Sequence, residues 1–486
     1  MNILIASSEV VPFAKTGGLA DVAGALPKAI YKLGGNKVAV ILPNYRMIDA
    51  KKFGLELVKE NIKIKFGTKE SEARIFQTKI DGDIPVYFID NPAYFDRDGL
   101  YQISGQDYPD NAERFAFFSA ATLEACKILG FKADIIHCND WQTALIPVFL
   151  KSLYRENGFF KNTATIFTVH NIGYQGNFPF EKLSFIQFPE EFYTYRGFEF
   201  YGNMNLLKGG LIFSEIINTV SRKYSEEIQT QEYGCGLEGV LKERSKDLYG
   251  ILNGIDYEEW SPAKDKFIKY NFTKDNLKGK EKCKTELQKE FDLTPDNKAP
   301  VIGLITRIVA QKGLDLVKEV FESLMQMKMQ FVLLGTGEPD LEKFFKNASE
   351  KYPGKAGIKI GFDNALAHRI EAGSDMFLMP SRYEPCGLNQ IYSLKYGTVP
   401  IVRATGGLDD TIVDYEDDSE KGNGFKFAEA CAKPMFQRIK TALKYYNSRE
   451  WKKIVQKGMK ADFSWGASAK RYLELYQLAV NKKRET

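Results

Sequence analysis

The sequence predicts an α/β fold with two successive doubly wound, mostly parallel sheets, and three observations lead there. Short β-branched runs alternate with longer amphipathic segments along most of the 486 residues, the pattern of repeated βαβ units. A second series of such runs opens at Val301, after Ser261–Lys284, a stretch dense in Lys, Asp and Asn and poor in aliphatic residues. Several runs are followed by glycine-bearing or polar loops, and ligands of open α/β sheets sit beyond the carboxyl ends of the strands.

In order, the first series offers strands at Ile3–Ser7, Val38–Leu42, Pro85–Ile89, Asp134–His137, Ala164–Val169 and Ile216–Val220. Helical periodicity fits Asp21–Leu33, Asn111–Leu129 and Trp141–Tyr154 between them. The second series runs through Val301–Ile305, Phe331–Leu334, Gly357–Ile360, Met376–Met379 and Val399–Val402. The charged stretch Ser261–Lys284 reads as a solvated connecting surface. The boundary falls near Gly250, dividing the chain into 1–250 and 251–466, and Ala467–Val480 reads as a closing helix. No tandem repeat or low-complexity tract is present, which excludes solenoids and propellers.

Composition narrows the functional classes. With 44% hydrophobic and 27% charged residues the chain is neither disordered nor fibrous. A net charge of only +4 supplies no basic field for nucleic acid, which is not expected as a partner. The six cysteines are scattered without a C-x-x-C pair, so reduced thiols are expected rather than a zinc ribbon or disulfide scaffold. The start lacks a basic n-region and carries Glu9 within its apolar stretch, unlike a secretory signal. No apolar run reaches the roughly 20 residues of a membrane helix, so no membrane association is expected.

Chemistry is expected where strands end. After the first strand, Lys15-Thr16-Gly17-Gly18 leads into a helix, where amide N–H groups favour a phosphate and Lys15 adds a full charge. The spacing is neither G-x-G-x-x-G nor G-x-x-x-x-G-K-[ST], which disfavours a dinucleotide or ATP-hydrolase site. His137-Cys138-Asn139-Asp140-Trp141 and His170-Asn171-Ile172-Gly173-Tyr174-Gln175-Gly176 put polar groups and aromatics at the next strand ends, a composition suited to sugars. His137 lies on its strand and reads as a core residue, whereas His170 ends an apolar strand and is the better candidate. Arg307 and Lys312, five residues apart, could neutralise a diphosphate leaving group without a metal. Pro380 to Gln390 follows another strand, with Glu384 as a carboxylate there and Cys386-Gly387-Leu388 opening a helix. Thr405-Gly406-Gly407 makes a further glycine turn.

Two patterns are set aside. Asp81-Gly82-Asp83 matches a D-x-D metal pattern, but Asp-Gly between Ala73–Ile80 and Ile84–Ile89 reads as a two-residue hairpin turn. His137 and Asp140 lack further partners at metal-ligand spacing. No metal or cofactor is expected.

Taken together, these residues resemble the bacterial glycogen synthases and plant starch synthases, retaining glucosyltransferases of the two-Rossmann-domain (GT-B) architecture with an interdomain cleft. The resemblance runs from Lys15–Val22 to Asp462-Phe463-Ser464-Trp465, through Asn253-Gly254-Ile255-Asp256, Gln311-Lys312-Gly313 and Arg382 to Leu388. It implies an ADP-glucose donor, or less often UDP-glucose, on the second domain, and an α-1,4-glucan or malto-oligosaccharide acceptor on the first. By motif, Lys15, Gly17 and Gly18 would face the diphosphate, and Arg307 and Lys312 would stabilise its leaving charge. Glu384 would bind the donor glucose, with Cys386, Gly387 and Leu388 beneath the phosphates and sugar; Asn253, Phe362 and Tyr392 join the donor set. His170 would contact the glucose, Asp140 would hold sugar hydroxyls, and Trp141, Asn171, Tyr174 and Gln175 would meet the acceptor.

The resemblance further implies a same-face internal return, in which the departing phosphate takes the acceptor proton. It also implies that the closing helix crosses back to the first domain. A bacterial cytoplasmic setting follows, or a plastid one for a plant-type chain trimmed of its transit peptide. Three positions depart from the broader pattern. Tyr392 stands eight residues after Glu384 where related GT-B enzymes carry a second Glu, a feature the glycogen and starch synthases share. Asn389 replaces an expected Thr, and Phe362 an expected Tyr on the adenine. Competing readings are a GT-B transferase with another donor or acceptor, a nucleotide-binding oxidoreductase, which would need G-x-G-x-x-G, and a silent glucan-binding scaffold, which would lack one of Lys15, Arg307, Lys312 or Glu384.

Overall fold

The computed structural model of the protein describes residues 1–485. They form two compact units. The first contains Met1–Val220, Ser225–Gly254 and the C-terminal segment from Trp465; the second contains Ser221–Tyr224 and Ile255–Ser464. The expected division near Gly250 lies four residues before the end of the first unit's middle segment.

The first unit is built on nine strands: β1 (Asn2–Ala6), β2 (Lys37–Pro43), β3 (Glu56–Phe66), β4 (Lys69–Ile80), β5 (Ile84–Asp90), β6 (Ile135–Asn139), β7 (Ala164–Val169), β8 (Ile216–Thr219) and β9 (Leu248–Gly250). Their order is β9-β8-β7-β6-β1-β2-β5-β4-β3. Pairing is parallel from β9 to β5 and antiparallel at the β5–β4–β3 edge. Covered on both faces, β1, β6 and β7 are buried almost throughout and carry no Lys, Arg, Asp or Glu, whereas the edge strand β3 alternates and carries Lys and Glu. The β4–β5 connection is a three-residue loop, with Ile80 opposite Ile84, one residue longer than the expected turn. Asp81 and Gly82 there have φ of 47° and 85°, and Asp81 pairs with Lys28 and Lys32. The D-x-D pattern is thus a hairpin tip.

Helix α1 (Gly18–Lys32) follows β1, and α2 (Asn111–Ile128) precedes β6. The expected helix Trp141–Tyr154 is shorter: a 3-10 turn at Trp141–Thr143 leads into α3 (Leu145–Lys151).

The second unit holds α4 (Lys278–Glu290), β10 (Val301–Ile305), α5 (Leu314–Met325), β11 (Gln330–Gly335), β12 (Ala356–Ile360), α6 (Asn364–Gly373), β13 (Met376–Met379), α7 (Asn389–Lys395), β14 (Val399–Arg403), α8 (Gly406–Thr411) and β15 (Phe425–Phe427). Its six strands run parallel in the order β12-β11-β10-β13-β14-β15. Counted from β10 this is 3-2-1-4-5-6, the Rossmann order. Alternate strand residues bury in opposite directions. Ile302, Leu304, Phe331 and Leu333 pack with Leu314, Val317 and Phe321 of α5, while Val301, Val332, Leu334 and Phe377 pack with Leu287 of α4 and Leu366 and Ile370 of α6. Two covered faces explain why these strands read as unbroken apolar runs.

The closing helix α9 (Trp465–Glu485) belongs to the first unit, as the resemblance implied. Buried polar contacts seat it there: the Tyr476 hydroxyl lies 2.9 Å from His137 Nδ1, Asn218 Nδ2 donates to the Tyr472 hydroxyl at 3.0 Å, and the Ser468 hydroxyl donates to the Leu252 carbonyl at 2.7 Å.

Candidate active-site residues

In the first sheet β1 and β6 are neighbours whose outgoing connections run to opposite sides, so their carboxyl ends form the switch point. Glu9, in the loop after β1, is only 4% exposed. Its carboxylate accepts the Thr16 amide, the Thr16 hydroxyl at 2.5 Å, the Gly17 amide at 3.0 Å and the Tyr101 hydroxyl at 2.8 Å. The Thr16 and Gly17 amides, expected to be open to a phosphate, are therefore occupied by an internal carboxylate. Sequence reading passed over both Glu9, which sits in an apolar stretch, and Tyr101, 92 residues away. Lys15 is exposed and pairs with Asp21 of α1 at 2.7 Å. A Cβ at Gly17 or Gly18 would meet nothing within 4 Å, and neither residue has positive φ. The fold itself does not require glycine at these two positions, and their outer side admits close approach.

Asp140, after β6, holds φ at 54°, a strained value for a residue with a side chain. Its Oδ1 accepts the His170 amide at 2.8 Å. Burial pushes its carboxyl up to about 7; the amides of His170 and Asn171 oppose this and the charge of Glu9 adds to it. His170 Nε2 lies 2.9 Å from Asn139 Oδ1. Asn139 Nδ2 donates to the carbonyls of Ala6 at 3.0 Å and His137 at 3.3 Å, which leaves its Oδ1 to accept from the ring. His170 thus carries its proton on Nε2 and presents Nδ1 as an acceptor. Desolvation pulls the imidazole down to about 3, so the ring is neutral. His137 is a core residue as read: fully buried, it also meets the Thr168 hydroxyl at 2.7 Å.

The expected acceptor residues divide. Tyr174 is 58% exposed and offers an open ring, while the Asn171 carboxamide accepts the Gly173 amide at 3.0 Å. Trp141 is 8% exposed, edge-on to Phe115 and Phe178, and its ring is what a Cβ at Gly176 would strike at 2.5 Å. Gln175 spends its amide on the Ile172 and Cys235 carbonyls and on Asn205. Both residues shape the loop from within. Asn253 is buried, and its Oδ1 has no hydrogen-bond partner among the described residues.

In the second sheet the switch point lies between β10 and β13. Lys312, after β10, donates to Glu384 Oε2 at 2.5 Å, and the Ser381 hydroxyl donates to the same oxygen at 2.9 Å. The loops are locked by backbone contact. A Cβ at Gly313, where φ is 72°, would lie 2.1 Å from the Pro380 carbonyl oxygen, and one at Gly406 would lie 1.9 Å from that of Glu384. The Arg382 amide donates to the Gln311 carbonyl at 2.8 Å, and Asn389, in place of the expected Thr, donates to the Ile305 carbonyl at 2.8 Å. Arg307 is exposed, its guanidinium 3.3 Å from Gln311 Oε1.

Cys386 is buried, Gly387 has φ of 68°, and Leu388 directly precedes α7. Phe362, past the end of β12, is 91% exposed and presents both ring faces. Tyr392 on α7 stacks on Trp260 at 3.8 Å between centroids, and Trp260 stacks on His368 at 3.7 Å. The position that carries a second Glu in related enzymes is here a packing position. Among the described residues no group of three or more His, Cys, Asp or Glu is placed to hold a metal ion.

Residues 2–243 match the starch synthase catalytic domain family, and residues 286–457 match the glycosyl transferases group 1 family. The glycogen synthase of Koribacter versatilis is 49% identical over 480 residues, covering 99% of this chain and 98% of that protein. The chain belongs to the glycogen synthase family. The glycogen synthase of Thermotoga maritima is 47% identical over 489 residues, 99% of each chain. Among solved structures, the catalytic domain of starch synthase IV from Arabidopsis thaliana, bound to ADP and acarbose, aligns with a TM-score of 0.89 at 36% identity, covering 99% of both chains. A sucrose-phosphate synthase from Thermosynechococcus elongatus, at a TM-score of 0.57 and 16% identity, shares the fold. The architecture of this glycogen synthase family member is GT-B.

Proposed function

We propose that this protein transfers glucose from ADP-glucose to the non-reducing end of an α-1,4-glucan with retention of configuration. The observation that carries the reading is the Lys312–Glu384 pair, 2.5 Å apart and locked at the switch point of a sheet with Rossmann order. A fixed cation beside a fixed carboxylate suits a glucose bound through its hydroxyls with a diphosphate attached to it.

In this scheme Arg307 and Lys312 of the second unit carry the leaving charge, so side-chain cations do the work that other transferases give to a metal. Glu384, already held by Lys312 and Ser381, binds hydroxyls and is not the nucleophile. The bond between the glucosyl C1 and the phosphate oxygen breaks, the acceptor hydroxyl joins C1 on the same face, and its proton passes to the departing phosphate. His170 accepts a sugar hydroxyl through Nδ1, and Asp140, with its carboxyl up at about 7, exchanges hydrogen bonds with another. Asn171 and the open ring of Tyr174 serve the glucan. Phe362 stacks on the adenine, which favours ADP-glucose over UDP-glucose. The glycogen synthases among its relatives are bacterial, which supports a bacterial setting.

The test is incorporation of labelled glucose into a glycogen primer from ADP-glucose and, in parallel, from UDP-glucose. Growth of the polymer chiefly from ADP-glucose is expected. Release of nucleoside diphosphate without polymer growth would assign another acceptor, and faster transfer from UDP-glucose would overturn the donor.

A further inference from the structure

The loop from Lys15 to Gly18 leads into a helix of 15 residues, and two amides just ahead of that helix, those of Thr16 and Gly17, are already taken. Glu9 Oε2 takes the amides of Thr16 and Gly17, and Oε1 takes the hydroxyls of Thr16 and Tyr101. Tyr101 is fixed in turn by Ser8, whose hydroxyl lies 2.7 Å from the phenol oxygen. Glu9 itself is set by its backbone: its amide donates to the Ser7 hydroxyl at 3.2 Å, and that hydroxyl donates to the Glu9 carbonyl at 2.6 Å. A buried carboxylate with four donors aimed at its two oxygens has no capacity left for substrate. What it does is fix the loop on the inner side while Gly17 and Gly18 keep the outer side clear.

We propose that Glu9 is a positioning residue of the transfer reaction. Its carboxylate binds the Thr16 and Gly17 amides just ahead of α1 from within the chain, and so holds Lys15, Gly17 and Gly18 in the shape that meets the donor. The inference rests on the ADP-glucose reading above and adds a consequence to it. On the first unit the donor diphosphate draws on Lys15 and not on the Thr16 and Gly17 amides.

The chemistry separates shape from charge. In Glu9→Gln the amide oxygen can still accept the two backbone N–H groups, while its NH2 faces two hydroxyls that can rotate to accept. In Glu9→Ala the Thr16 and Gly17 amides and the Thr16 hydroxyl lose their acceptor, while Tyr101 keeps Ser8.

The experiment measures donor kinetics on a glycogen primer, ADP binding by calorimetry and thermal melting for wild type, Glu9→Gln, Glu9→Ala and Thr16→Val. Wild-type transfer from ADP-glucose is the control, and its failure would count against the proposed function and not against Glu9. The expected result is that Glu9→Ala loses about 100-fold or more in kcat/KM, with most of the loss in kcat. Glu9→Gln should recover to within about tenfold of wild type, and ADP should bind more weakly to Glu9→Ala than to wild type. If Glu9→Ala does not fold, Thr16→Val, which removes one donor only, should lose about three- to tenfold in kcat/KM at an unchanged melting temperature. Wild-type kinetics in Glu9→Ala, or in Thr16→Val where that variant stands in, would overturn the proposal. Tenfold tighter ADP binding on loss of the carboxylate would also overturn it, since Glu9 would then be a competitor for the phosphate.

Discussion

Removing Lys312 probes the second unit most directly, because the carboxylate it would strand is largely shielded from water. The Glu384 side chain is 9% exposed and that of Lys312 17%. Deleting one partner of a buried pair costs about 3–5 kcal/mol, since the other is left charged and uncompensated. Ser381 still donates to Glu384 at 2.9 Å, which offsets about 1 kcal/mol. Lys312→Ala is therefore expected to lose about 2–4 kcal/mol of stability. At about 2–4 °C per kcal/mol for a unit of this size, melting should fall by roughly 5–15 °C. Glu384→Gln should cost only about 1 kcal/mol, because a freed lysine can turn to solvent. The double variant should then be more stable than Lys312→Ala alone, which isolates the pair as a coupling. Turnover should fall by about 100- to 1,000-fold in Lys312→Ala, as one preorganised charge at the leaving group is lost. Calorimetric melting of all four proteins and labelled-glucose transfer check this. A Lys312→Ala protein that melts with wild type, or a double variant no more stable than it, would refute the argument.

Other outcomes follow from the same geometry. Phe362→Ala should leave melting unchanged, because the ring is 91% exposed, yet raise the ADP-glucose KM by about tenfold, the loss of one base–aromatic stack of about 1–3 kcal/mol. Gly406→Ala should abolish transfer and lower stability, since its Cβ would lie 1.9 Å from the Glu384 carbonyl oxygen; Gly17→Ala should melt as wild type while losing donor affinity, a contrast that melting and steady-state kinetics together reveal. Asp140 has a folded-state pKa raised from 3.8 to about 7, so its contribution to stability is greatest below about pH 4 and is lost as pH rises through 7. Urea unfolding between pH 4 and 8 should show Asp140→Asn lacking that decline, which amounts to at most a few kcal/mol.

Most strands of both sheets were legible because parallel strands covered on two faces are short runs free of charged residues, as Val301–Ile305 and Ala164–Val169 are. Strand β3 was not legible, since an edge strand with one wet face reads as charged surface. The segment Trp141–Tyr154 has helical periodicity but splits after Thr143, where the turn that aims Asp140 at the His170 amide takes over from the helix.

The candidate polar residues at strand ends were visible in the sequence: Lys15, Asp140 and His170 in the first unit, Arg307, Lys312 and Glu384 in the second. A strand-end position depends only on local pattern and on the rule that sheets bind ligands at their carboxyl edges. The tertiary structure alone decided which of the accompanying residues face outward. It turned Trp141, Gln175 and Tyr392 into packing, gave Phe362 an open ring, set the tautomer of His170 through Asn139, and brought Tyr101 to Glu9 across 92 residues. Such contacts depend on which strands become neighbours, and that order is set by the collective burial of two sheets rather than by any short stretch of sequence.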